Sequence, residues 1–189
     1  MRAIPSQTTI ILDACCVINL YASGRMEEIL TALPPSIAIT DYVRNSEALW
    51  VYGGPDDDIR SVKERINLTV IEKNCRIITA NPNSEVEETT MVNYAYQLKD
   101  DGEAFTGAIA VNRGWVMATD DLRAKTFLLK QAPSLKIIST LELIKAWADP
   151  KTPSTDELRL VLSNIKTRAT YKPHENHPLC AWWRKYVQE

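Results

Sequence analysis

The sequence predicts an α/β fold in which helices cover both faces of a central, mostly parallel sheet. Short apolar segments rich in β-branched residues alternate with segments of helical periodicity, and this alternation is typical of parallel sheets. The clearest strand, residues 8–12 (TTIIL), ends directly at Asp13. Further strands are predicted at residues 36–40, 115–119 and 136–139.

Helices are predicted between these strands from apolar spacing, helix caps and breaking residues. They are placed at residues 15–22, 26–33, 42–51, 56–66, 85–98, 103–111 and 122–130, with short strands at 68–71 and 76–79. Asp100 and Glu103 have a capping-box spacing at the start of the helix placed at 103–111. Ser139 and Glu142 form the same pattern, which predicts another helix directly after the last strand.

The chain is predicted to hold one catalytic domain and a short extension. Residues 149–153 (DPKTP) are the linker-like break, so the domain is placed at 1–148 and a helical extension packed on it at 149–189. Ser154 and Glu157 repeat the capping pattern at the start of that extension.

Composition indicates a folded protein with a sizeable core. The chain has 189 residues, of which 45% are hydrophobic. No apolar run is long enough to predict a membrane span, and the first one is interrupted by Asp13. All four cysteines are read as reduced, because none lies in a CxxC pair. We therefore expect a soluble, cytoplasmic protein.

Charge is unevenly distributed along the chain. The formal net charge is −2, but residues 1–121 carry −8 and residues 122–189 carry +6. One interpretation is an acidic metal pocket beside a surface that holds phosphates. The other is that these charges lie on solvated helix faces.

The most informative pattern is the placement of the acidic residues. Asp13 closes one predicted strand, and Asp120 and Asp121 close another. The carboxyl ends of parallel strands share one sheet edge, where ligand sites of α/β folds lie. Glu47 and Glu103 fall on predicted helices that could border this edge. Taken singly, each residue could instead be a helix cap, a turn residue or a solvated acid.

Clustered carboxylates resist ionising together unless a cation neutralises them. Oxygen ligands suit Mg2+ or Mn2+, and such an ion can activate water and stabilise charge on a phosphodiester. The acids therefore favour metal-dependent hydrolysis of nucleic acid without a covalent enzyme intermediate.

These residues resemble the PIN-domain family and, within it, the VapC-like toxin ribonucleases. The similar stretches are IILDACCVINLYASG, SEALW, DDGEAFTGAIAV and WVMATDDLRAKTFL. The resemblance spans residues 8–147 and implies a PIN-like three-layer fold. It implies that Asp13, Glu47, Glu103 and Asp121 are the catalytic, metal-binding acids, that Asp120 is a helper ligand, and that the Thr119 hydroxyl orients the loop. It also implies an RNA substrate, a protein antitoxin that occludes the pocket, and a homodimer.

Several other patterns have two interpretations. His174, His177 and Cys180 have a zinc-like spacing, but a fourth ligand is missing. Trp182 and Trp183, with basic neighbours, could bind RNA or pack the tail onto the domain. Arg123 and Lys125 could contact substrate phosphate or be surface charges. No glycine-rich phosphate loop is present in the sequence.

Our leading hypothesis is a Mg2+- or Mn2+-dependent endoribonuclease that acts as the toxin of a toxin–antitoxin pair. The first alternative is a catalytically inactive PIN-fold module that binds RNA or a protein partner. The second is a metal-dependent phosphohydrolase, which the absence of a second acid in Asp13-Ala14-Cys15 disfavours.

Overall fold

A computed structural model describes residues 8–33, 36–55 and 58–187. Its central sheet has five strands, all paired in parallel, in the order β5-β2-β1-β6-β7. A separate antiparallel pair, β3 and β4, forms a two-stranded ribbon. The strands are β1 (Thr9–Leu12), β2 (Ser36–Thr40), β3 (Trp50–Tyr52), β4 (Lys63–Arg65), β5 (Ile78–Ala80), β6 (Val116–Ala118) and β7 (Lys136–Ile138).

Helices connect the strands and lie on both faces of the sheet. They are α1 (Ala14–Ala22), α2 (Met26–Ala32), α3 (Asp41–Asn45), α4 (Thr69–Cys75), α5 (Glu85–Leu98), α6 (Asp101–Arg113), α7 (Leu122–Gln131), α8 (Thr140–Lys151), α9 (Thr155–Arg168) and α10 (Cys180–Tyr186). The predicted α/β class, with a parallel central sheet flanked by helices, is confirmed.

Strand β1 shows why the fold has three layers. Ile10, Ile11 and Leu12 are all fully buried. Because side chains alternate along a strand, Ile10 and Leu12 join a cluster with α1, α8 and α9, whereas Ile11 joins a second cluster with α6. The sheet therefore separates two apolar cores, and helices close each of them.

The segment after β2 differs most from the sequence prediction. The helix predicted at 42–51 is wrong beyond α3, because Trp50–Tyr52 pairs with β4 instead. The helix predicted at 56–66 is wrong over its described part, which holds a 3-10 turn (Ile59–Ser61) and β4; Asp56 and Asp57 lie outside the described residues. The strand predicted at 68–71 is instead the start of α4.

The predicted capping box is present at the start of α8. The Ser139 hydroxyl accepts from Glu142 N at 3.2 Å, and the Glu142 carboxylate accepts from Ser139 N at 2.9 Å. The boundary predicted at residue 149 falls inside this helix. Leu162 of α9 belongs to the same apolar cluster as Leu12 of β1. The division into a domain and an extension stays a prediction.

Within the described ranges, none of the helices combines the length and the apolar character needed to cross a bilayer.

Candidate metal centre

The candidate site lies at the carboxyl ends of β1 and β6, near the middle of the sheet. β2 pairs with one edge of β1 and β6 with the other, so the strand order reverses here. Such a reversal leaves a crevice outside the strand ends, where α/β folds bind ligands. Asp13 N donates to Ala118 O at 3.0 Å, which holds the ends of β1 and β6 together. The two segments that carry predicted acids therefore leave the sheet side by side.

Asp13 is held in a fixed orientation at this edge. It caps α1 through its Oδ1, which accepts from Ala14 N at 2.8 Å. Its Oδ2 accepts from the Thr119 hydroxyl at 3.0 Å. The side chain is buried, and burial raises its pKa, against the lowering effect of these hydrogen bonds. Asp13 is thus a buried, pre-oriented carboxyl group.

Thr119 joins Asp13 to the loop that carries the last predicted acid. Its hydroxyl donates to Asp13 and accepts from Asp121 N at 3.1 Å. Asp121 in turn caps α7, with its Oδ1 accepting from Ala124 N at 2.7 Å. These two contacts agree with the orienting role predicted for the Thr119 hydroxyl, which stays a prediction.

Glu103 faces the same edge from the first turn of α6. It is 7% exposed, and no described group forms a hydrogen bond with its Oε2. Burial, followed by the charges of Asp121, Asp100 and Asp13, raises the pKa of Glu103 to about 8. Arg123, whose side chain is mostly exposed, approaches Glu103 Oε2 at 3.8 Å and only partly offsets this effect. Glu103 is therefore a buried acid with no close hydrogen-bonded cation.

A second buried glutamate shows what a structural carboxylate looks like in this fold. Glu87 is the third residue of α5, as Glu103 is of α6. Arg113 binds both carboxylate oxygens of Glu87, at 2.7 and 2.8 Å, and lowers its pKa. The same helix position thus has a paired acid in α5 and an acid without a hydrogen-bonded cation in α6. An acid that served only to stabilise the fold would be expected to have a cation partner, as Glu87 has and Glu103 has not.

Glu47 reaches the site from a bend rather than from the helix predicted for it. It follows α3, and Leu49 N donates to its backbone oxygen at 3.0 Å as the chain turns toward β3. Its carboxylate lies against Gly102, in space that a Cβ at that position would enter. Burial, followed by the charges of Asp100 and Asp13, raises the pKa of Glu47. The structure therefore places Glu47 beside the start of α6.

Asp100 is an additional acid at this edge that the sequence indicated only as a helix cap. Its Oδ1 accepts from Glu103 N at 3.0 Å, as the three-residue spacing predicts. Its charge also raises the pKa values of Asp13, Glu47 and Glu103. A helix cap and a pocket acid have the same local sequence signal, so only the tertiary structure identifies the second role.

Asp120 takes part in a different network. Its carboxylate accepts from Asn19 Nδ2 at 2.8 Å, from Thr140 N at 3.1 Å and from the Thr140 hydroxyl. The Tyr171 hydroxyl adds a longer contact at 3.4 Å. Asp120 thus connects the end of β6 to α1, α8 and the C-terminal segment. Its assignment as a metal ligand stays a prediction, and these contacts favour a positioning role.

Cys15, Cys16 and Asp120 also lie close together, with one ligand atom from each within 4.8 Å of the others. Burial raises the pKa of Cys16 well above its ordinary value, so its thiol stays protonated. Asp120 N approaches Cys15 Sγ at 3.3 Å. Sulfur ligands do not suit Mg2+ or Mn2+. We therefore assign this group to packing and hydrogen bonding.

The zinc-like spacing in the tail has a structural explanation. His177 Nε2 lies 2.9 Å from the Ser139 hydroxyl, and its Nδ1 accepts from Leu179 N at 3.1 Å. His174 Nδ1 accepts from Asn176 N at 3.2 Å. Both imidazoles thus have hydrogen-bond partners within the protein, and Cys180 is buried at the start of the C-terminal helix.

Five carboxyl groups at this sheet edge are linked by charge, because the charges of Asp13, Asp100 and Asp121 each raise the pKa of at least one of the others. They are Asp13, Glu47, Asp100, Glu103 and Asp121, and we call them the acidic cluster. Their mutual repulsion is a cost that a bound divalent cation would remove.

Comparison of the chain with models of known protein families finds no match, and comparison with curated proteins finds none either.

Gly102 gives a way to disturb the acidic cluster without removing a charge. In Gly102→Ala, the new methyl group would displace the Glu47 carboxylate, which is the end of a flexible side chain. We expect the variant to keep its thermal stability and to bind Mn2+ about tenfold more weakly, as is usual when a group that supports a ligand moves. Calorimetric titration with Mn2+ measures this. Unchanged affinity would show that the position of Glu47 does not matter for the ion.

Proposed function

We propose that this protein is a Mg2+- or Mn2+-dependent endoribonuclease of the PIN type, acting as the toxin of a toxin–antitoxin pair. The observation that carries the proposal is the acidic cluster, above all Glu103, whose buried Oε2 lacks a hydrogen-bonding partner among the described residues. The parallel sheet and the order of its acids are compatible with that family. A cytoplasmic location, a homodimer and an antitoxin are parts of the proposal that rest on the resemblance.

The chemistry of the donors suits a hard divalent cation, but the carboxylates would have to move together around it. Within the part of the chain that the structure describes, only Cys15, Cys16 and Asp120 bring three possible ligand atoms within 4.8 Å of one another. Asp13, Glu103 and Asp121 offer carboxylate oxygens, which such ions prefer, and Glu47 and Asp100 add charge around them. A protonated Glu103 would have to lose its proton on binding, and the ion's charge favours that loss. When bound, Mg2+ or Mn2+ supplies an activated water and neutralises charge that develops on the scissile phosphate.

The protein's own groups would position this chemistry. Thr119 fixes the rotamer of Asp13, and the caps on α1, α6 and α7 hold Asp13, Asp100 and Asp121 on rigid helix ends. Side chains fixed at helix and strand ends have little freedom to change orientation. Arg123, exposed beside Glu103, would contact a substrate phosphate.

The test of the proposed function is cleavage of RNA by the purified full-length chain. We expect a 5′-labelled single-stranded RNA to be cut with Mn2+ or Mg2+ and to stay intact in EDTA. A parallel assay on a phosphomonoester should show no turnover, which separates the nuclease from a phosphohydrolase. Mn2+ binding without cleavage of any RNA, or cleavage that persists in EDTA, would contradict the proposal. In the first case the inactive binding module becomes the better description.

A further inference from the structure

The two-stranded ribbon was not predicted, and it presents two unlike faces. Residues directly opposite each other in an antiparallel pair lie on the same face. Val51 opposes Glu64; Val51 is fully buried, and Glu64 binds Arg168 of α9 at 3.0 Å. This inner face therefore fixes the ribbon to the body of the protein.

The outer face carries aromatic and basic side chains in alternation. Trp50 opposes Arg65, and Tyr52 opposes Lys63, so these four share one face. Both aromatic residues are half-buried, whereas Lys63 and Arg65 are exposed. Lys63 Nζ lies 3.9 Å from the centre of the Trp50 ring, and Arg60 lies 5.8 Å from that of Tyr52. We call Trp50, Tyr52, Arg60, Lys63 and Arg65 the ribbon platform.

Backbone contacts hold this platform in place. Arg168 Nε donates to Tyr52 O at 3.1 Å, while its other nitrogen atoms reach Glu64 and Ala22 O. One arginine thus ties the ribbon to both α1 and α9. Arg60, Lys63 and Arg65 take no part in these anchoring contacts, which all come from Arg168. Among the described residues, no ion pair joins Arg65 to an acid.

The ribbon platform is continuous with the acidic cluster. A groove of about 520 Å³ runs between α3, β4 and α4. Glu47 of the acidic cluster and Arg65 of the platform both line it. Ile66 N donates to Leu49 O at 3.0 Å, which joins two further residues of the lining. A ligand in the groove would therefore contact one member of the acidic cluster and one member of the platform.

We infer that the ribbon platform binds a single-stranded RNA segment that flanks the cleavage site. Proteins hold single strands by stacking bases on aromatic rings and by placing basic side chains along the phosphates, which are the groups this face combines. A duplex hides its base faces, so it could use the cations but not the rings. The inference rests on the proposed function, because it names how the same site would hold its substrate.

The test is binding of a fluorescein-labelled single-stranded RNA to the full-length protein in EDTA, measured by anisotropy over a series of salt concentrations. Trp50→Leu keeps an apolar side chain but removes the stacking surface, and we expect it to weaken binding at least about tenfold. Arg65→Gln should weaken binding and reduce the slope of log K against log salt by about 0.7, the change for one phosphate contact. Circular dichroism checks that each variant is folded.

Lys130→Gln is the matched control, since Lys130 is exposed at the end of α7, a helix without a part in the ribbon. It should leave the affinity and the salt slope unchanged. Equal losses in Lys130→Gln and Arg65→Gln would show a general charge effect and overturn the inference. Full affinity in both Trp50→Leu and Arg65→Gln would overturn it too, as would equally tight binding of duplex RNA.

The binding assay in EDTA also separates the two proposals. If the wild-type protein binds single strands through the platform but cuts no RNA with Mn2+, the platform stands and the nuclease proposal fails. If RNA is cut but the platform variants bind and cut as the wild type does, the nuclease proposal stands and the platform inference fails.

Discussion

Replacement of Asp13 by asparagine is expected to lower metal-dependent RNA cleavage at least about a hundredfold while leaving the protein folded. Asparagine caps a helix as well as aspartate does, so the hydrogen bond from Ala14 N can be kept. Asparagine has an amide nitrogen in place of the oxygen that accepts from the Thr119 hydroxyl, so this hydrogen bond is lost or reversed. The substitution also removes one negative charge from the acidic cluster. The fold is thus preserved and the metal site is not.

The assay compares initial cleavage rates of the same labelled RNA at saturating Mn2+, with thermal unfolding as the check on folding. Asp149→Asn is the control, because Asp149 is an exposed acid of α8 that pairs with Lys145. It should cut RNA at the wild-type rate. An Asp13→Asn protein that melts normally and cuts at the wild-type rate would remove Asp13 from the catalytic assignment.

Replacement of Glu103 by glutamine is expected to stabilise the metal-free protein and to weaken Mn2+ binding. The pKa of Glu103 is about 8 in the folded chain, against an ordinary value of 4.5. Between these two pH values the folded state therefore holds a proton that the unfolded state releases. The stability that this group contributes is fully present below pH 4.5 and is lost as pH rises through about 8. Glutamine keeps the shape and removes this pH-dependent loss.

In EDTA at pH 8.5 we expect Glu103→Gln to raise the free energy of unfolding by on the order of 2 kcal/mol, a shift in Tm of about 5 °C. At pH 5 the two proteins should differ little. Denaturant unfolding at both pH values measures this. Glu157→Gln is the matched control, since Glu157 is also the third residue of its helix but pairs with Arg25. Lower stability of Glu103→Gln at pH 8.5 would mean that Glu103 is a structural acid.

Local patterns predicted the part of the site that depends on strand ends. The apolar run before Asp13 and the strand before Thr119 each specify where a carboxylate leaves the sheet, and parallel pairing brings the two together. The three-residue spacing of Asp100 and Glu103 likewise predicted a helix start. Each of these signals lies within a few neighbouring residues, so the sequence alone predicts the strand ends and the helix start.

Other features depend on contacts between distant segments. Asp120 and Asp121 are adjacent, yet only the tertiary partners Asn19 and Thr140 show that Asp120 belongs to a different network. The helix predicted at 42–51 includes Glu47, but the helix ends before this residue and the chain continues into β3. The three-residue strand β3 is stabilised by pairing with the polar strand β4, and its own residue pattern does not indicate a strand. For this reason the sequence does not predict the ribbon.

A crystal grown with Mn2+ tests most directly whether the acidic cluster binds a divalent cation. Anomalous scattering locates manganese without assuming its ligands. We expect a peak within coordination distance of carboxylate oxygens of Asp13, Glu103 and Asp121. A peak beside Cys15, Cys16 and Asp120, or none at millimolar Mn2+, would contradict it.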